Sequence, residues 1–123
     1  MKKTILIADD SESIREMLQI SFTEAGYQVI SSKNGEEALV KLNEHNDDID
    51  LVVTDLHMPK MDGISLIKEI RKNDKFNGLP ILFLTTETLV AKKQEAKEAG
   101  ATGWIVKPFA PVKLISTIQK VIR

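Results

Sequence analysis

The sequence predicts an α/β fold: a doubly wound parallel sheet of five strands in the order 2-1-3-4-5, flanked by five helices. Two observations carry this prediction. Five short apolar runs alternate with five longer stretches of helical spacing, the pattern of a parallel sheet with helices on both faces. The runs at 51–54 and 80–84 are nearly continuous in apolar or β-branched residues, as central strands covered on both faces are. Right-handed crossovers and this strand order, the common one at this size, put a topological switch point between the first and third strands, at their carboxyl ends.

The first strand is read at 5–8 and is ended by Asp9-Asp10. Ile14, Met17, Leu18, Ser21 and Phe22 recur at helical spacing, so the first helix turns that stripe inward, and Gly26 stands where a left-handed cap belongs. The second strand is read at 27–30. Asn34 followed by Glu37 has the form of a capping box, opening a helix that runs through Leu42; His45 reads as a plain helix-end residue. The third strand, 51–54, ends in Asp55. Asp62-Gly63 reads as a cap, and Ile64, Ile67 and Ile70 stripe the third helix. The fourth strand, 80–84, runs into Thr85-Thr86, and a helix over 88–99 is closed by Gly100. The fifth strand, 104–106, leads to Lys107-Pro108. Pro111 then opens a fifth helix with Leu114, Ile115, Ile118 and Ile122 inward.

The length of 123 residues suits one domain, and the helical pattern runs to its last residues, so the expectation is a single unit over 1–123 with no output domain. Hydrophobic residues make up 42% of the chain, which argues against intrinsic disorder. A net charge of −1 leaves no dominant electrostatic mode for binding nucleic acid. The absence of cysteine removes disulfide frameworks, thiolate zinc sites and cysteine catalysis together. The apolar run at 5–8 is too short for a signal peptide, whose core needs roughly 7–15 apolar residues. No run approaches the roughly 18 apolar residues of a membrane span. A cytoplasmic monomer without nucleic-acid or membrane partners is expected.

The polar residues that end the strands form an unusual set: Asp9-Asp10 after the first, Asp55 after the third, Thr85-Thr86 after the fourth and Lys107-Pro108 after the fifth. In this topology all of them project to one end of the sheet. Carboxylates brought together there repel unless something neutralises them, and a hard divalent cation does so; Mg²⁺ takes one or two carboxylates plus waters and phosphate oxygens. Asp55 lies between the other groups and is the candidate nucleophile, since a carboxylate can form an acyl phosphate. Lys107 and Thr85 are candidates to bind the remaining phosphoryl oxygens. A lone aspartate after a strand is usually a cap, and a lone Lys-Pro a solvated turn. It is their joint occurrence at four ends of one sheet that points to chemistry.

The segments ILIADDS, LVVTDLHMPKMDG, PILFLTTE and GATGWIVKPF, spread nearly end to end, resemble the receiver domains of two-component response regulators. The likeness is strongest to the single-domain, CheY-like chemotaxis type, with its flavodoxin-like fold. The resemblance implies that a histidine kinase phosphorylates Asp55. It implies Mg²⁺, or Mn²⁺ in its place, on Asp10 and Asp55, with Asp9 acting through water and the His57 backbone carbonyl as a further ligand. It implies contacts from Thr85 and Lys107 to the phosphoryl group, a cis Lys107-Pro108 bond, and an aromatic switch at Trp104 that moves inward when Thr85 swings toward the phosphoryl group. The implied activity is that of a signalling phosphoacceptor, with Mg-dependent self-phosphorylation and autodephosphorylation only. The implied target is a protein such as a flagellar motor switch component, bound through the fourth helix, fifth strand and fifth helix.

Three positions depart from the common pattern. His57 stands where many relatives carry asparagine or another polar residue, Thr86 where a small residue is frequent, and Trp104 where tyrosine or phenylalanine is frequent. Chemotaxis is the favoured setting, with a single-domain phosphorelay intermediate or phosphate sink as the alternative, since either would share the same site. Functions of other classes fit less well. A haloacid-dehalogenase-like phosphatase needs a second aspartate at the position of His57. A flavin or nucleotide binder needs a phosphate-cradling loop after the first strand, where Asp9-Asp10 would repel phosphate.

Overall fold

The structure, a computed structural model, describes residues 2–122. Its elements are β1 (Thr4–Ala8), α1 (Glu12–Glu24), β2 (Gln28–Ser32), α2 (Gly35–Glu44), β3 (Ile49–Thr54), α3 (Gly63–Arg71), a 3₁₀ turn (Asp74–Phe76), β4 (Ile81–Thr85), α4 (Val90–Ala99), β5 (Gly103–Val106) and α5 (Pro111–Val121). The five strands are parallel, in the order β2-β1-β3-β4-β5, as the sequence predicts.

The two-residue period of the strands divides the core. Leu6, Ala8, Val52, Ile81 and Phe83 pack with Ala38, Leu42, Ile64, Ile67, Ile70 and Ala96, so α2, α3 and α4 cover one face. Ile5, Ile7, Leu51, Val53, Leu82 and Leu84 pack with Leu18, Phe22, Leu114 and Ile118, so α1 and α5 cover the other. Burying a Leu, Ile or Phe side chain contributes about 1.5–3 kcal/mol, and both faces of β1, β3 and β4 are filled this way. The strand ends are therefore held rigidly.

Several local expectations change. Strand β2 begins at Gln28 and runs on to Ser32, because the Ser32 hydroxyl donates to the Ile7 carbonyl (2.5 Å) and Asp9 N donates to Ser32 O. The stripe of α1 is narrower than read: Leu18 and Phe22 are buried, whereas Met17 is exposed. Gly26 does adopt a left-handed φ of 97° just after α1. Asn34 caps α2 by accepting from Glu37 N (2.9 Å), but the Glu37 carboxylate turns to Lys41 (3.3 Å), so the capping box is half made. Helix α4 starts at Val90 rather than 88: the Glu87 carboxylate accepts from both Thr88 N and Leu89 N (3.1 Å each), and Leu89, the N-cap, is extended. Only Ala96 of α4 is buried. Asp62 caps α3 through Ser65 N (2.7 Å), as read.

Candidate functional site

β1 and β3 are neighbours, and their ladder continues one step past the strands: Asp55 N donates to Ala8 O (2.8 Å). That step sets Asp9 and Asp55 side by side at the switch point. At the opposite side of β3, Lys107 N donates to Thr85 O (2.8 Å), which carries Lys107 to the same end of the sheet. The Lys107-Pro108 bond that follows is cis.

Asp9, Asp10 and Asp55 each offer an oxygen, all within 4.8 Å of one another. Asp9 is buried, Asp55 half-buried and Asp10 exposed at the rim. The Lys107 ammonium lies between the two inner carboxylates, 2.8 Å from Asp9 Oδ2 and 3.2 Å from Asp55 Oδ2. The other oxygens accept backbone N–H groups: Asp9 Oδ1 from Ser11 (2.9 Å) and Asp55 Oδ1 from Leu56 (2.7 Å). Burial nevertheless raises the pKa of Asp9, outweighing the hydrogen bonds from Lys107 and Ser11. Burial pulls the pKa of Lys107 down, but Asp9 and Asp55 outweigh it and leave the ammonium more firmly protonated than usual. An all-oxygen donor set with excess negative charge fits a hard divalent cation such as Mg²⁺.

Gly63 packs directly against the Asp55–Leu56 backbone. Its N–H donates to Leu56 O (2.8 Å), and a Cβ there would run into the Asp55 carbonyl oxygen and sit 2.5 Å from Phe83 Cε1. Lys60, in the loop between, carries a left-handed φ of 69°. Thr85 is fully buried at the end of β4, and its hydroxyl accepts from Glu87 N (3.2 Å). The His57 ring is exposed and meets the Glu87 carboxylate at 3.0 Å, joining the loops after β3 and β4. This hydrogen bond leads the causes that lower the pKa of Glu87. Thr86 is exposed. Trp104 pairs with Phe83 in the β4–β5 register, and the rings stack at 5.2 Å with a 48° tilt. It lines a groove of about 360 Å³ with Val90, Lys93, Ala96 and Lys97 of α4.

The chain matches the response regulator receiver domain family over residues 5–119. It belongs to that family. Receiver domains are signalling phosphoacceptors rather than conventional enzymes, and this receiver domain is 41% identical over 119 residues to the "Probable transcriptional regulator ycf27" of Cyanidium caldarium. That match takes in 97% of this chain and 46% of the relative, so the receiver domain spans about half the length of that protein. Among solved structures, the chemotaxis response regulator CheY4 of Vibrio cholerae has 43% identity and a TM-score of 0.92, over 98% of this chain and 99% of that one. The CheX-CheY-BeF₃-Mg²⁺ complex of Borrelia burgdorferi has 31% identity and a TM-score of 0.91, over 98% of this chain and 90% of that one.

The receiver domain thus brings together Asp9, Asp10, Asp55 and Lys107 as sequence reasoning expected. Thr85 stands one strand away with its hydroxyl engaged by its own loop. Two contributors were missed. Glu87 ties His57, the Thr85 hydroxyl and the start of α4 together. Arg15 donates through Nη1 to the Asp9 carbonyl oxygen (2.7 Å). Helical side chains lean toward the helix N-terminus, so a long residue one turn past the Ser11 cap was placed to reach back to the strand end. That was the available signal.

Proposed function

We propose that this receiver domain accepts a phosphoryl group on Asp55 from a histidine kinase and thereby switches its binding of a protein target, in chemotaxis signalling. The observation that carries the reading is Lys107 set between Asp9 and Asp55, next to Asp10: a fixed cation beside a carboxylate cluster that has room for a second, divalent one. Asp9 is the more enclosed of the inner pair, with 3% side-chain exposure against 13% for Asp55, which favours Asp55 as the group that meets a donor. An Asp55 oxygen attacks phosphorus, the P–N bond of a phosphohistidine breaks, and its electron pair leaves on the imidazole nitrogen. Asp10, Asp55 and the His57 carbonyl are the proposed ligands of Mg²⁺, with Asp9 acting through water; when bound, the cation offsets the charge of the phosphoryl oxygens. Lys107 moves from Asp9 toward the new phosphoryl oxygens, and the Thr85 hydroxyl leaves Glu87 N to donate to them. Self-phosphorylation and autodephosphorylation are the only chemistry assigned to it.

Phe83 and Thr85 are two apart on β4 and share a face, and Trp104 stacks on Phe83 there. Movement of Thr85 opens space on the side where Trp104 packs, and Trp104 carries the change to the groove beneath α4. The extent of the shift is bounded by how differently the phosphoryl group interacts with the two states. Tryptophan fluorescence with Mg²⁺, before and after beryllofluoride, tests the scheme. A change in intensity is expected, lost in Asp55→Asn and reduced in Thr85→Ala. An unchanged spectrum in protein shown independently to bind the mimic would overturn the Trp104 route.

A further inference from the structure

Arg15 lies at the phosphoacceptor site, yet the chemistry above does not use it. It is half-buried on α1, and its Nη1 donates to the carbonyl oxygen of Asp9 (2.7 Å). A guanidinium keeps its charge and carries five N–H donors, so most of its donor capacity remains open. Among the described residues no carboxylate lies within ion-pair distance of it; the ion pairs of the site belong to Lys107. Arg15 is therefore a fixed positive charge held against the backbone of one acidic residue rather than spent on a carboxylate.

The charge balance gives this placement a consequence. Three carboxylates against Lys107 leave two negative charges, which a divalent cation alone would cancel. With Arg15 counted, the cation-loaded site carries one net positive charge when a phosphoryl group arrives. The same charge opposes the cation. Arg15 thus trades cation affinity for anion affinity, while its bond to the Asp9 carbonyl holds the strand end that presents Asp9 and Asp10.

We propose that Arg15 is a positioning and charge-setting residue of this site, one that weakens cation binding and strengthens binding of a dianionic phosphoryl group in the cation-loaded state. The proposal rests on the phosphoacceptor reading. It is tested on the full chain with Arg15→Gln, which removes the charge, and Arg15→Lys, which keeps it. MgCl₂ alone is titrated calorimetrically, beryllofluoride is titrated at saturating Mg²⁺, and melting temperature is recorded for each protein. For Arg15→Gln the Mg²⁺ dissociation constant should fall about threefold and that of beryllofluoride rise about fivefold, magnitudes expected of one partly screened unit charge at the edge of the site. Arg15→Lys should return both toward wild type, and both differences should shrink at high salt. A purely structural role would lower both affinities together along with the melting temperature. That outcome, no change in either affinity, or an Arg15→Lys protein that behaves like Arg15→Gln, would overturn the proposal while leaving the phosphoacceptor reading intact. A wild-type protein that bound neither Mg²⁺ nor beryllofluoride would overturn both.

Discussion

Replacing Gly63 with alanine should cost both stability and site geometry, because this glycine is where α3 leans on the Asp55–Leu56 backbone. The added Cβ would lie 2.5 Å from Phe83 Cε1 and still closer to the Asp55 carbonyl oxygen, with Leu56 Cα at 3.1 Å. Ordinary carbon contacts sit at about 3.5–4.0 Å, so either α3 or the Asp55–Leu56 backbone must move by about 1 Å. One colliding atom is backbone and another is on a ring buried in the core, so neither yields cheaply. Overpacking typically costs about 1–3 kcal/mol, and this site belongs at the upper end. The helical preference of alanine returns at most about 1 kcal/mol. A net loss of about 2 kcal/mol follows, which for a chain this size lowers the melting temperature by about 8 °C. Gly78→Ala is the control: nothing lies within 4 Å of its Cβ, and its stability should stay within about 0.5 kcal/mol of wild type. Urea and thermal unfolding in chelator measure both variants. Beryllofluoride affinity should fall in Gly63→Ala at temperatures where it remains folded. A Gly63→Ala protein as stable as Gly78→Ala would refute the packing argument.

The remaining predictions concern charge. Saturating Mg²⁺ should raise the melting temperature, by about 2.7 kcal/mol of stabilisation at a hundredfold excess over the dissociation constant, and Asp10→Asn should shrink the rise. The rise should also grow with pH from mild acid to neutral. The folded-state pKa of Asp9 is raised, so its contribution to the metal-free fold is present below the usual carboxylate range and is lost as pH climbs through the folded value. The folded-state pKa of Lys107 is raised as well, so its contribution holds below the ordinary lysine value and is lost as pH rises through the folded one. In chelator, wild type should therefore lose stability in strong base more steeply than Lys107→Met; equal alkaline limbs would contradict the role given to this ammonium.

Much of this structure could be read from sequence because the strands β3 and β4 are apolar on both faces and leave no doubt about which layer they occupy. Once those strands were parallel neighbours of β1 and β5, Asp9, Asp55 and Lys107 had to meet at one end. What escaped depended on the direction of single polar side chains. Thr88 has the residue type of a helix cap, but the neighbouring Glu87 carboxylate takes the amides of Thr88 and Leu89, and α4 starts at Val90. Arg15 carries no pattern of its own, and its importance arises only from the backward lean of a side chain on a helix that starts just beyond Asp10. The fourth helix was also harder to bound because it buries little beyond Ala96, so its apolar spacing says little.

The most direct test of the account is the mass of the intact protein after incubation with acetyl phosphate and Mg²⁺, followed by peptide mapping of the acyl phosphate. Asp55 has a side chain only 13% exposed, beside Lys107 and the Asp9–Asp10 pair, and a single phosphoryl group is expected on it. The adduct should be lost in Asp55→Asn and when the metal is chelated. Labelling of Asp55→Asn to the extent of wild type, or an adduct mapped to any other residue, would contradict the claim that this carboxylate is the phosphoacceptor.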